Sequence, residues 1–95
     1  MEDKELEALR NSVRKIDKDM VTLFEKRLAL SKCIARRKVE AELPIFDGAR
    51  EEKNIQALSS MIENLSMRPD FIRWYRMLMD ISKKVQRDFI KGEGK

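Results

Sequence analysis

The feature that most limits what this chain can become is an apolar seam running through its first forty residues. Leu6, Leu9, Val13, Ile16, Met20 and Leu23 recur at steps of three and four, Leu30 and Ile34 continue the series, and no glycine or proline intervenes before Pro44. That spacing predicts one helix from about residue 3 to residue 41. At 1.5 Å per residue it is roughly 58 Å long. A compact chain of this size is only about 30 Å across. The helix therefore cannot bury its seam inside one molecule. Either the chain is a plain coiled coil or two copies share one core, and we read the seam as half of an intertwined homodimer.

Leu43-Pro44-Ile45-Phe46 ends this helix, because the residue before a proline avoids helical backbone. Asp47 is a good N-cap for a second helix, about 48–65, with Glu51 and Glu52 near its positive end. Its apolar face is Ile55, Leu58, Ile62 and Leu65. A break at Ser66-Met67-Arg68 leads to Pro69 in the first turn of a third helix, about 69–91. That helix carries Phe71, Trp74, Tyr75, Leu78, Met79, Val85, Phe89 and Ile90, while Gly92 and Gly94 mark a frayed tail. Met61, Met67, Met77 and Met79 read as helical-core fillers. The expected fold class is all-α: one long helix and two shorter ones, in a single domain over residues 1–95, forming an intertwined homodimeric helical bundle.

Composition removes several chemistries. With no histidine and only Cys33, there is no Ser-His-Asp or Cys-His pair, no His-ligated metal and no thiolate cluster. No glycine-rich phosphate loop is present. Any catalysis must use Arg, Lys, carboxylates, Ser and Gln, which favours positioning and electrostatics and implies neither metal nor cofactor. A lone Cys33 fits a reducing cytoplasm and reads as a small apolar packer. No stretch approaches the ~20 apolar residues of a membrane span, and Met1-Glu2-Asp3-Lys4 does not resemble an export signal. A net charge of +4 suits a small anionic ligand. Nucleic acid is not expected, because acidic residues intersperse Arg36-Arg37-Lys38 and Lys83-Lys84, and one Trp and one Tyr offer little for base stacking.

Polar residues then occur where apolar ones belong. The heptad column of Leu6, Val13, Met20 and Ile34 also contains Arg27, and an unpaired buried ion costs several kcal/mol. Lys38 lies on nearly the same face, about 16 Å further along the axis, so two long side chains leaning together converge on one small anion. Arg10 flanks the seam about 25 Å before Arg27 and cannot reach the same ligand. An antiparallel partner helix brings it there if the twofold axis passes near Met20 or Val21. Glu51 falls on the apolar face of the second helix, and Ser82 and Gln86 interrupt that of the third. Taken singly each has an ordinary reading: Arg27 snorkels or pairs with a carboxylate, Lys38 and Arg10 are solvated, Asp47 is a cap, Ser82 and Gln86 are satisfied core groups. Their presence on all three helices points to one polar pocket.

The ordered set resembles the all-α (type II) chorismate mutase family over about residues 6–90. It comprises Leu9-Arg10, Ile16-Asp17, Glu25-Lys26-Arg27, Lys38, the segment Pro44-Ile45-Phe46-Asp47-Gly48-Ala49-Arg50-Glu51, and Ser82 with Gln86. The resemblance implies a dimer of intertwined three-helix chains that converts chorismate to prephenate, in phenylalanine and tyrosine biosynthesis, without a cofactor. It also implies roles. Arg27 and the partner chain's Arg10 grip the two substrate carboxylates; Lys38 and Gln86 donate to the ether oxygen; Glu51, with the backbone near Asp47, holds the ring hydroxyl; Ser82 assists a carboxylate and Arg50 supports it. Two other readings stay open: an isochorismate pyruvate lyase on the same scaffold, and a helical binding or regulatory module without catalysis.

Overall fold

The computed structural model describes residues 3–92. Three α-helices follow one another: α1 (Lys4–Glu40), α2 (Gly48–Ser59) and α3 (Arg68–Ile90), with a 3-10 turn at Leu65–Met67 before α3. Among the described residues there is no strand, and no helix is long and apolar enough to cross a membrane. Gly92 takes a positive φ of 82° just beyond α3, whereas Gly94 lies outside the described residues.

The ends of α1 follow from local chemistry. The Asp3 carboxylate accepts from the Leu6 amide at 3.0 Å, and Glu5 and Glu7 occupy the first turn, where the helix dipole favours negative charge. At the other end Glu42 adopts φ 55°, and the amides of Glu42 and Leu43 return to the carbonyls of Val39 (3.2 Å) and Lys38 (2.8 Å). This is the Schellman arrangement that closes a helix before Pro44.

The second helix stops at Ser59, six residues short of the expected 65. The Ser60 hydroxyl donates to the Ala57 carbonyl at 2.7 Å, and Ser59 donates to Gln56. The backbone tightens at the same place, the Met61 and Ile62 amides returning to the carbonyls of Leu58 and Ser59 three residues back, at 3.0 and 3.1 Å. Asn64 then caps the 3-10 turn through the Ser66 amide, and Arg68 donates to the carbonyls of Ile62 and Ser60 at 2.9 and 3.2 Å.

Contacts define the packing directions. Along α1, Arg27, Ser31 and Arg36 meet Tyr75, Ser82 and Phe89 of α3 in the same order, so the two helices run parallel. Glu51 at the start of α2 meets Lys83 late in α3, while Arg68 at the start of α3 donates to the Ser60 carbonyl at the end of α2, so α2 lies antiparallel to α3. The buried apolar centre is small: Ile55, Tyr75 and Met79, edged by Leu58, Phe71, Ile72 and Leu78, with Ala35 of α1 also buried. Of the four methionines expected in the core only Met79 is there. Met61 and Met77 are 71% and 63% exposed, because Met61 falls beyond the end of α2 and Met77 faces away from it. Cys33 is likewise exposed rather than packed.

Most of α1 has no cover. Every residue from Ala8 to Lys26 is exposed, including Leu9, Val13, Ile16, Met20 and Leu23. The radius of gyration is 17.4 Å, against about 12 Å for a compact chain of this length. One copy thus exposes the very seam that its sequence makes apolar.

Candidate active site

Two facing stripes carry the polar residues. On α1, Arg27, Ser31, Ala35 and Lys38 are spaced four, four and three apart and turn one face toward α3, where Ser31 and Ala35 are buried. On α3, Tyr75, Met79, Ser82 and Gln86 are spaced four, three and four apart and form the facing stripe, and Gln86 is only 5% exposed. The stripes are stitched by a directional file of hydrogen bonds. Ser31 Oγ donates to the Arg27 carbonyl at 3.0 Å. Its proton is then spent, so across the 2.5 Å contact Ser82 Oγ is the donor and Ser31 the acceptor. Ser82 in turn accepts from Gln86 Nε2 at 3.4 Å. One end of the file is a carbonyl that can only accept, which sets the polarity of every link. Gln86 Oε1 is buried and has no partner among the described residues, while Nε2 keeps a second proton.

Arg27 is half-buried, its guanidinium 5.7 Å from the centre of the Tyr75 ring. That cation–π contact, rather than a carboxylate, makes an arginine tolerable in this column. Lys38 donates to the Ile45 carbonyl at 2.6 Å, tying the end of α1 to the loop that precedes α2. An ammonium has three protons, so two remain for a ligand.

The first turn of α2 supplies the remaining candidates. Asp47 caps it by accepting from the Arg50 amide at 3.1 Å; the Arg50 side chain is exposed. Glu51 reaches across to α3 and pairs with Lys83 at 3.1 Å. Lys83 was legible only as half of a basic pair, and its contact with Glu51 was not. Within one chain Arg10 is not brought to the others. It is exposed on the bare part of α1 and pairs with Glu7 at 3.7 Å.

Two concavities flank these groups. The larger, about 1540 Å³, is an apolar groove between α1 and α3 whose walls include Val21, Phe24, Trp74, Leu78, Val85 and Phe89. It contains Arg27 but not Lys38, Glu51, Ser82 or Gln86. The smaller, about 300 Å³, is edged by Phe46, Gly48, Glu51, Met79, Asp80 and Lys83. The convergent polar groups thus lie along the two stripes and the head of α2, whereas the larger groove is walled mainly by apolar side chains.

The chain is thus all-α with one overlong helix, and the faces its three helices turn to one another carry cations, a carboxylate and an amide. The chain belongs to the chorismate mutase type II family, whose model matches residues 9–87. It is also similar in structure to a conserved hypothetical protein from Pyrococcus furiosus, with a TM-score of 0.74 and 29% identity over 90% of this chain and 99% of that one.

Proposed function

We propose that the chain is a chorismate mutase that works as a homodimer, rearranging chorismate to prephenate in aromatic amino acid biosynthesis. The observation that carries this reading is the polar register of Arg27, Ser31 and Lys38 on α1 against Ser82 and Gln86 on α3. Stability is a weak reason for such groups in a core this small, since each paired one adds only about 0.5–1.5 kcal/mol and an orphaned one costs about 1–3 kcal/mol.

The reaction breaks an ether C–O bond as a C–C bond forms within one molecule. What it requires is a folded substrate and donors where charge grows. Guanidinium forks match carboxylates, and Arg27 from one copy with Arg10 from its partner would hold the two ends of the dicarboxylate in the chair-like shape that reacts. Lys38 and the spare Nε2 proton of Gln86 would donate to the ether oxygen as its bond stretches, the kind of interaction that contributes most when it is aimed at developing charge. Ser82 would assist a carboxylate by turning its single hydroxyl proton from Ser31 to the substrate, Glu51 would take the ring hydroxyl near the Asp47 backbone, and Arg50 would support the carboxylate from the exposed side.

The bare stretch from Ala8 to Lys26 supports the shared site, because it carries both the uncovered seam and Arg10. Subunit complementation tests it. Arg10→Ala and Arg27→Ala are each expected to be nearly inactive alone. Mixed and allowed to exchange, half the dimers contain one intact site, so about a quarter of wild-type activity returns. No recovery sinks the shared site. Salicylate from isochorismate, in place of prephenate from chorismate, would make the protein a lyase.

A further inference from the structure

Lys83 is a closely engaged cation that the proposed chemistry leaves unused. Its ammonium lies 3.1 Å from Glu51 Oε2 and 3.3 Å from Glu51 Oε1, so it holds both oxygens of that carboxylate. It also lies 3.4 Å from Asp80 Oδ1 and 4.9 Å from the centre of the Phe46 ring. The Lys83 and Glu51 side chains are only 18% and 21% exposed. Three parts of the chain meet at this nitrogen: the loop before α2 through Phe46, the first turn of α2 through Glu51, and α3 through Asp80.

Stability does not explain the arrangement, because ion pairs drawn out of water roughly break even against apolar replacements. Nor does Glu51 need a lysine to sit well at a helix N-terminus, where the dipole already favours it. What the pair does change is direction. It draws the Glu51 carboxylate away from the axis of α2 and across to α3. A carboxylate offers about four acceptor sites, and an ammonium bridging its two oxygens leaves sites free on each.

Resting on the chorismate mutase reading, we propose that Lys83 is the positioning residue for Glu51: it fixes the carboxylate that accepts the substrate's ring hydroxyl, and so sets the preference for a hydroxylated ring. Lys83 does not touch the reacting atoms. Its effect appears in discrimination between substrates that differ only at that hydroxyl.

The experiment compares chorismate with its analogue bearing hydrogen in place of the ring hydroxyl, measuring kcat and KM for wild type, Lys83→Met and Lys83→Arg. Lys83→Met keeps the stem over Phe46 and removes the charge. It is expected to raise KM for chorismate on the order of tenfold and to leave the analogue unchanged, which collapses the preference. Lys83→Arg, which can still bridge both oxygens, is expected to restore it. If Lys83→Met does not fold, Lys83→Gln carries the same comparison with the same expected loss. Equal damage to both substrates, or an unchanged preference, overturns the role of Lys83 alone. A folded wild-type dimer that rearranges neither substrate overturns the mutase reading and this inference together.

Discussion

Ser31 and Ser82, fifty-one residues apart in sequence, share a 2.5 Å hydrogen bond between α1 and α3. Because Ser31 spends its own proton on the Arg27 carbonyl, this contact orients everything beyond it, including the Gln86 amide. The result is a buried Oε1 without a donor, held in place although an orphaned acceptor costs about 1–3 kcal/mol.

Gln86→Met keeps the length of the side chain and removes that orphan. Stability is expected to rise by about 1 kcal/mol, seen as a higher thermal midpoint, while kcat falls on the order of 10²-fold. Greater stability with undiminished kcat would show that the amide does not donate to the reacting oxygen.

Lys38→Ala removes the other proposed donor. A loss on the order of 10²-fold or more in kcat is expected, the scale for deleting one donor to developing charge. Should only KM rise, Lys38 binds the substrate without stabilising the transition state.

Met20→Glu tests the seam. An exposed residue of a monomer tolerates such a change within about 0.5 kcal/mol. Across a twofold axis near Met20, two carboxylates instead face each other in an apolar strip. Sedimentation is expected to report a dissociated or unfolded chain, and the assay no turnover. A wild-type mass with full activity would refute the placement of the axis.

Glu42→Gly relieves the left-handed residue at the end of α1. The φ of 55° is disfavoured for any side chain and free for glycine. Calorimetry should show a gain of about 0.5–1 kcal/mol, net of the entropy that glycine adds to the unfolded chain, with turnover unchanged. A lower midpoint would mean that Glu42 makes a contact worth more than its strain.

What sequence could reveal here depended on the range of the interaction. The extent of α1 was legible because nothing in it breaks a helix; Pro44, Asp47 and Pro69 announced their turns through their own backbone chemistry. The end of α2 was not, since Ser59 and Ser60 are acceptable helix residues and the carbonyls of Ser60 and Ile62 are taken by Arg68, which lies beyond the turn. Met61 and Met77 misled for a related reason: methionine is equally at ease buried or exposed. The Arg27–Tyr75 and Lys83–Glu51 contacts were out of reach, because each depends on how one helix lies on another. Misplaced polarity flagged Arg27, Glu51, Ser82 and Gln86 as positions of interest without naming their neighbours.

Lys38 secures the segment before α2 twice over, its carbonyl receiving the Leu43 amide at 2.8 Å and its ammonium reaching the Ile45 carbonyl at 2.6 Å. The distance between these two anchor points acts as a ruler. An insertion or deletion between residues 41 and 46 cannot be absorbed as loop slack, because any change in chain length there also displaces the ammonium. The connector is thus a poor place for grafting or permutation, although on the surface it resembles any other short turn.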